Sequence, residues 1–341
     1  MSASPRVDSG ARAARRAWLL RVLGTLAALA LWWQLARISP SELLEALGRL
    51  EPQALLAGLL FGLLGVGCVA LRWKLLLRAY GARRAYRWPR LARLHLVGMF
   101  YNTFLPANVG GDILRAHLTR DAFEGVTGAY LIVGIERVFG LAGLALLAGV
   151  ALLWAPLEGI RGLPLLAAFA LLGASGAAAS PMLMRALGSR LPGRIGAWAR
   201  RLPRVRLPSL FLPVLALSVA SQVASALIGF TIIDSISPIQ LLQALLLVPV
   251  ALVSSYLPTV AGLGARETAF VVLLAYAGIS QADATAASLG YLAVQLALAL
   301  LGGLIHLLGV AAPPEAGRID DEPGDGPGDG GVDSATIGPQ G

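Results

Sequence analysis

The stretch NTFLPANVGGDILRAH, Asn102 to His117, sets a proline, two glycines, a carboxylate and two titratable bases within strongly apolar surroundings. A second stretch, SSYLPTVAGLGARE from Ser254 to Glu267, repeats its core: Phe104-Leu105-Pro106 aligns with Tyr256-Leu257-Pro258, and Gly110 with Gly262. In hydrocarbon an unpaired backbone group costs several kcal/mol, so Pro and Gly breaks are tolerated only where protein or water satisfies the freed groups. Two such breaks at corresponding places point to a lined cavity.

The rest of the chain supplies that hydrocarbon setting. Its 341 residues are 57% hydrophobic and only 14% charged, too apolar to be covered by a water-compatible surface. Several windows exceed the roughly 20 apolar residues that a spanning helix needs, and the short alternating segments of a β-barrel are absent. The reading is an all-α polytopic membrane protein. The net charge of +9 sits in blocks between apolar segments, which is the pattern of cytoplasmic loops facing anionic lipid and argues against a nucleic-acid partner. Cys68 has no intrachain partner, and His95, His117 and His306 lack metal-ligand spacing, so neither a metal nor a cofactor is expected.

Taken in order, residues 1–16 form a basic cytoplasmic tail with Arg6, Arg12, Arg15 and Arg16, and Ala17 to Ala36 is the first span. Arg37 to Pro52 balances bases against acids as an external loop would, with a short surface helix capped by Ser41. Gln53 to Leu71 spans back. Arg72 to Arg93 is basic without an acid, a cytoplasmic loop whose Trp73, Tyr80, Tyr86 and Trp88 suit the headgroup interface.

Charge counting then decides the first motif. If its first arm, starting at Leu91, crossed completely, the arginine-rich, acid-free loop Ser180 to Pro208 would fall outside, against the positive-inside bias. If Leu91 to Phe104 enters and Gly110 to Arg120 returns to the same face, the spans Val126 to Trp154 and Leu163 to Ala179 bring that loop inside. The second half mirrors this: Ser209 to Ile233 runs outward, Ile239 to Tyr256 enters before the turn at Pro258 to Gly264, Arg266 to Gly278 returns, and Ala284 to Gly309 crosses inward.

The expected architecture is two inverted-topology repeats, about 17–155 and 163–309, with re-entrant helical hairpins: about six full spans plus two hairpins. Arms of this length also allow complete spans. After Val310 the chain is rich in Gly, Pro and Asp, so 310–341 reads as a disordered acidic cytoplasmic tail.

At each break the following helix starts with free N–H groups and a positive dipole end, which suits phosphate or carboxylate. Arg115 and Arg266, within a turn of that start, would add charge-assisted forks. The plainer reading is two compact turns, with Asp112 and Glu267 as caps and the arginines snorkelling to headgroups. Glu136-Arg137 is a further charge pair in an apolar helix. Adjacent residues point about 100° apart, so the two should bond different partners, Arg137 with Asp112 being one pairing; a pair lying at the membrane edge is the other reading.

The run FYNTFLPANVGGDILRAHL, followed by GIERVFGL and later YLPTVAGLGARE, resembles the lysylphosphatidylglycerol synthase transmembrane (flippase-like) family, over residues 17–309. That family includes the membrane half of the bacterial multiple peptide resistance factor, which moves aminoacylated phosphatidylglycerol between leaflets. The resemblance matches Pro106, Gly110, Gly111, Asp112, Arg115, Glu136 and Arg137 to one polar motif and Pro258, Gly262, Gly264, Arg266 and Glu267 to the other. Asn102, Asn108 and Ser254 complete the expected substrate-binding set.

What the resemblance implies is a non-enzymatic lipid translocase of the bacterial inner membrane with both termini cytoplasmic. It would carry a phospholipid or lipid-linked headgroup, and a homo-oligomer or a separate synthase partner is compatible with it. Nothing folded follows Gly309, so tRNA-dependent lysyl transfer is not expected of this chain. The alternative is an integral-membrane enzyme or regulator of a lipid-linked glycan or aminoacyl-lipid pathway.

Overall fold

A computed structural model describes residues 39–104, 110–123, 126–154, 203–256 and 264–309, with isolated positions between 172 and 197. The expected tails, the first span, most of Leu163 to Ala179, and Pro106, Asn108, Pro258 and Gly262 lie outside the described residues. Among the described residues every regular element is helical.

Helix α1, Pro40–Gly48, starts at Ser39 rather than at the expected Ser41. Ser39 Oγ accepts from the Glu42 N–H and Glu42 answers the Ser39 N–H, both at 3.2 Å. Pro40, lacking an N–H, fits the first helical position, which leaves Ser41 inside the helix. Helix α2, Pro52–Ala79, runs 28 residues, well beyond Leu71. Nothing in ALRWKLLLRAY breaks a helix, and the chain turns only at Tyr80 and Gly81, where φ is +70°.

Much of the expected cytoplasmic loop is therefore helix. Three of its aromatics do not face outward: Trp73, Tyr80 and Tyr86 are buried in one apolar cluster with Leu91, Leu94 and Val214. Burial pushes the Tyr86 phenol up, against the pull of Arg84 and Arg90. Only Trp88 stays exposed, its indole N–H bonded to the Gly67 carbonyl at 3.0 Å.

Among the described residues four helices are long and apolar enough to cross a membrane: α2, α5 (Val126–Trp154), α6 (Phe211–Ile236) and α9 (Gln281–Leu307). Shorter helices separate them. Between α2 and α5 lie α3, Trp88–Phe104, and α4, Gly110–Leu118, of 17 and 9 residues. Between α6 and α9 lie α7, Leu241–Leu252, extended by a 3-10 turn to Tyr256, and α8, Ala265–Leu274, of 12 and 10 residues. The order long, short, short, long thus occurs twice.

Packing is reciprocal between the two sets. Helices α2 and α6 share the most extensive contact; α5 packs on α4 of its own set and on α6 and α7 of the other, while α9 packs on α8 of its own set and on α2 and α3 of the other. Small residues permit this closeness, as is usual where lipid gives helices no hydrophobic reason to associate. A Cβ on Gly111 of α4 would lie 2.0 Å from the Gly98 carbonyl oxygen of α3, and one on Gly302 of α9 would lie 2.0 Å from that of Leu96. Helix α3 is thereby held by backbone contact on two sides. Leu56, Leu60, Leu64, Leu212, Leu300 and Leu304 face outward, as lipid-facing positions would.

Candidate functional site

Helices α2 to α5 bring five charged side chains together. Asp112 stands in the first turn of α4, where the dipole favours an anion, and Arg115 follows one turn later. Arg115 donates to Asp112 Oδ1 at 3.4 Å and to Glu136 Oε2 at 2.5 Å. Arg72, near the end of α2, donates to Glu136 Oε1 and to Ser218 Oγ of α6, each at 3.2 Å. Arg137 donates through Nε to Asp112 Oδ2.

The adjacent pair Glu136-Arg137 therefore does reach different partners, and Asp112 is one partner of Arg137. Asp112 pairs with two arginines. The Gly111 N–H is answered by Asn102 Oδ1 at 2.8 Å. Arg72, Asp112, Arg115 and Glu136 are all buried, and the Arg115 guanidinium lies 4.3 Å over the Trp73 ring.

These groups form the charged wall of a cavity of about 410 Å³. Facing them are Ser221, Gln222 and Ser225 of α6 and Gln295 of α9, with Phe61, Val66, Met99 and Leu298 supplying apolar surface. Among the described residues of this wall, three guanidiniums face two carboxylates. Ions are costly to bury unless paired, and intramembrane charges of this kind mark substrate pathways.

The described residues of the second motif do not line this cavity. Gly264 adopts φ +79° and its N–H is capped by Glu267 Oε2 at 2.6 Å. Arg266 donates to Glu267 Oε1 at 2.6 Å and to Ser288 Oγ of α9 at 3.2 Å, all three residues being buried. Ser254 donates to the Ala251 carbonyl at 2.6 Å. The two motifs are thus separate clusters, one around a cavity and one within the α8 and α9 contact.

Sequence reasoning missed Arg72, assigned to a loop, and also His95, Gln295 and the α6 wall. The α6 residues left a signal: Ser218, Ser221, Gln222 and Ser225 recur at helical spacing, a polar stripe in an apolar run. Arg72 and Gln295 left only their isolation in apolar sequence.

The model of the family described as the lysylphosphatidylglycerol synthase TM region matches residues 18–303. The chain belongs to that family. No curated protein matches the sequence. Every residue around the cavity falls within the matched span, so the charged wall lies in the part of the chain that defines membership. Membership and the four span-capable helices make this a membrane protein of lipid metabolism or translocation.

Proposed function

We propose that the chain is a lipid translocase, moving a phospholipid or lipid-linked headgroup, anionic or zwitterionic, between leaflets of the bacterial inner membrane without covalent change. The observation that carries this is the cluster of three arginines and two carboxylates, four of the five buried, lining a cavity among span-capable helices. A headgroup needs such a polar compartment to leave water, whereas its acyl chains can remain among the outward-facing leucines.

Helix lengths support the re-entrant reading. Helix α4, with 9 residues, and α8, with 10, extend only about 15 Å at 1.5 Å per residue, half the hydrocarbon thickness. The reciprocal packing supports two inverted repeats, and rocking one against the other would expose the cavity to each side in turn. In this scheme Asn102, Asp112, Arg115, Glu136 and Arg137, with Arg72, hold the headgroup. Arg266 and Glu267 couple α8 to α9. The arginines of the 80–87 connection, Arg83, Arg84 and Arg87, mark the cytoplasmic face, consistent with cytoplasmic termini.

The test is reconstitution of the purified chain in liposomes with headgroup-labelled lipids. Accelerated exchange between leaflets, lost on Arg72→Gln, with recovered lipid of unchanged mass, is the expected result. Exchange no faster than in protein-free liposomes, or recovery of chemically altered lipid, would sink the proposal.

A further inference from the structure

Along α6 the side-chain protons are turned away from the cavity. Ser221 donates to the Ser218 carbonyl at 2.8 Å and Ser225 to the Ser221 carbonyl at 3.1 Å, the back-bonding that serine makes within a helix. With their protons committed, both hydroxyls can only accept from a ligand. Gln222 donates through Nε2 to the Gly140 carbonyl of α5 at 3.1 Å. A carbonyl only accepts, so this contact fixes the amide with its nitrogen toward Gly140 and its oxygen away from it. Gln222 and Ser225 are part-buried, and all three residues border the cavity. Among the described residues Gln222 Oε1 receives no donor.

The charged wall has the opposite sense. Asn102 accepts the Gly111 N–H through Oδ1 at 2.8 Å; an N–H only donates, so the Asn102 nitrogen is the amide atom left over. The four oxygens of Asp112 and Glu136 each already accept a guanidinium N–H. A headgroup bridging the cavity therefore finds a donor at Asn102 on one side and acceptors along α6 on the other. Phosphate oxygens suit the first side, and N–H or O–H groups of the headgroup cap suit the second. A trimethylated ammonium has no N–H to give and is typically held by aromatic faces. Phe61 is the only Phe, Tyr or Trp among the described residues lining the cavity.

We propose that α6, through Ser221, Gln222 and Ser225, selects headgroups whose cap carries hydrogen-bond donors, a primary ammonium or a polyol, and disfavours a quaternary ammonium. The assignment rests on the translocase reading of the same cavity. The shared chemistry is a phosphate ester with a donor-bearing cap, whether it arrives on a lipid or free in water.

Native mass spectrometry of the full chain in detergent tests it with phosphatidylethanolamine and phosphatidylcholine of identical acyl chains, which differ only in methylation of the ammonium. Phosphatidylethanolamine should bind at least about fivefold more tightly, the worth of one net hydrogen bond. Phosphatidylglycerol should exceed phosphatidylcholine by the same margin, and a smaller difference for either lipid overturns the assignment. Phosphoethanolamine that competes only weakly supports a lipid source, and phosphoethanolamine that binds as tightly as the lipid supports a soluble one.

Exclusion by size alone would give the same ranking, and two variants separate the causes. Gln222→Met keeps the length of the side chain and removes the oxygen. Ser225→Ala removes one acceptor and keeps the tie from Gln222 to Gly140. Each should lower the preference for phosphatidylethanolamine over phosphatidylcholine at least about twofold. A preference unchanged in Gln222→Met, or in Ser225→Ala should the first variant fail to fold, shows exclusion by size and overturns the assignment. The two readings fail separately. Selective binding without leaflet exchange removes the translocase and leaves the selectivity, whereas exchange without selectivity does the reverse.

Discussion

Glu136→Gln is the substitution that probes the charged wall most directly. Glu136 is 3% exposed and bridges Arg115 at 2.5 Å and Arg72 at 3.2 Å, two guanidiniums that are themselves buried. Glutamine keeps the shape and one acceptor but turns an amide N–H₂ toward a guanidinium donor. Removing one partner of a buried ion pair costs about 3–5 kcal/mol, because the other charge stays desolvated.

The lower end applies here. Asp112 remains 3.4 Å from Arg115 and compensates in part, while Arg72 keeps only its bond to Ser218. The expected loss is therefore about 3 kcal/mol. It can be measured by reversible unfolding in mixed detergent and SDS micelles, followed by tryptophan emission, with Trp73 reporting from beneath Arg115. In a double-mutant cycle with Arg115→Gln, the two losses should fall short of additivity by at least about 1.5 kcal/mol. A Glu136→Gln protein within about 1 kcal/mol of wild type, or strict additivity, would refute the view that this pair is a desolvated, mutually dependent unit.

Two glycines separate packing from propensity. Gly111→Ala must push backbone against backbone, since its Cβ would lie 2.0 Å from the Gly98 oxygen, so a loss of about 2–3 kcal/mol is expected. Gly134→Ala, with nothing within 4 Å of its Cβ, should be neutral or gain up to about 1 kcal/mol from helix propensity; equal effects in the same unfolding assay would contradict the packing. At the far end of α2, Arg49 donates to Asp283 at 2.5 Å and to the Ile236 carbonyl at 3.1 Å, tying the α1 terminus to α6 and α9. Because the Arg49 side chain is 47% exposed, Arg49→Ala should cost only about 1 kcal/mol. That loss should shrink at high salt, and a salt-independent one would argue against an ionic contact.

Much of the molecule was legible in the residues themselves. Proline and glycine placed the breaks, so Val126 to Trp154 and the arms ending at Phe104 and starting at Gly110 coincide with the observed helices. The 100° step along a helix separated the partners of Glu136 from those of Arg137. Errors arose where a local rule had no local competitor to limit it. Basic residues after Leu71 suggested a loop, but a helix already paired along its backbone continues through arginine and tryptophan as readily as through leucine.

What the sequence alone determined is the class of the protein, its membrane setting and the repeated Pro-Gly break, because apolar run length, charge blocks and backbone-breaking residues are local quantities. Tertiary structure decided which charges meet. Arg72 and Glu136 are 64 positions apart, and their contact depends on the depth and rotation of α2 against α5. Those are set by backbone approaches at Gly98, Gly111 and Gly302 that no single stretch contains. The same geometry gave one motif a cavity and closed the other on Ser288, although the two look alike as text.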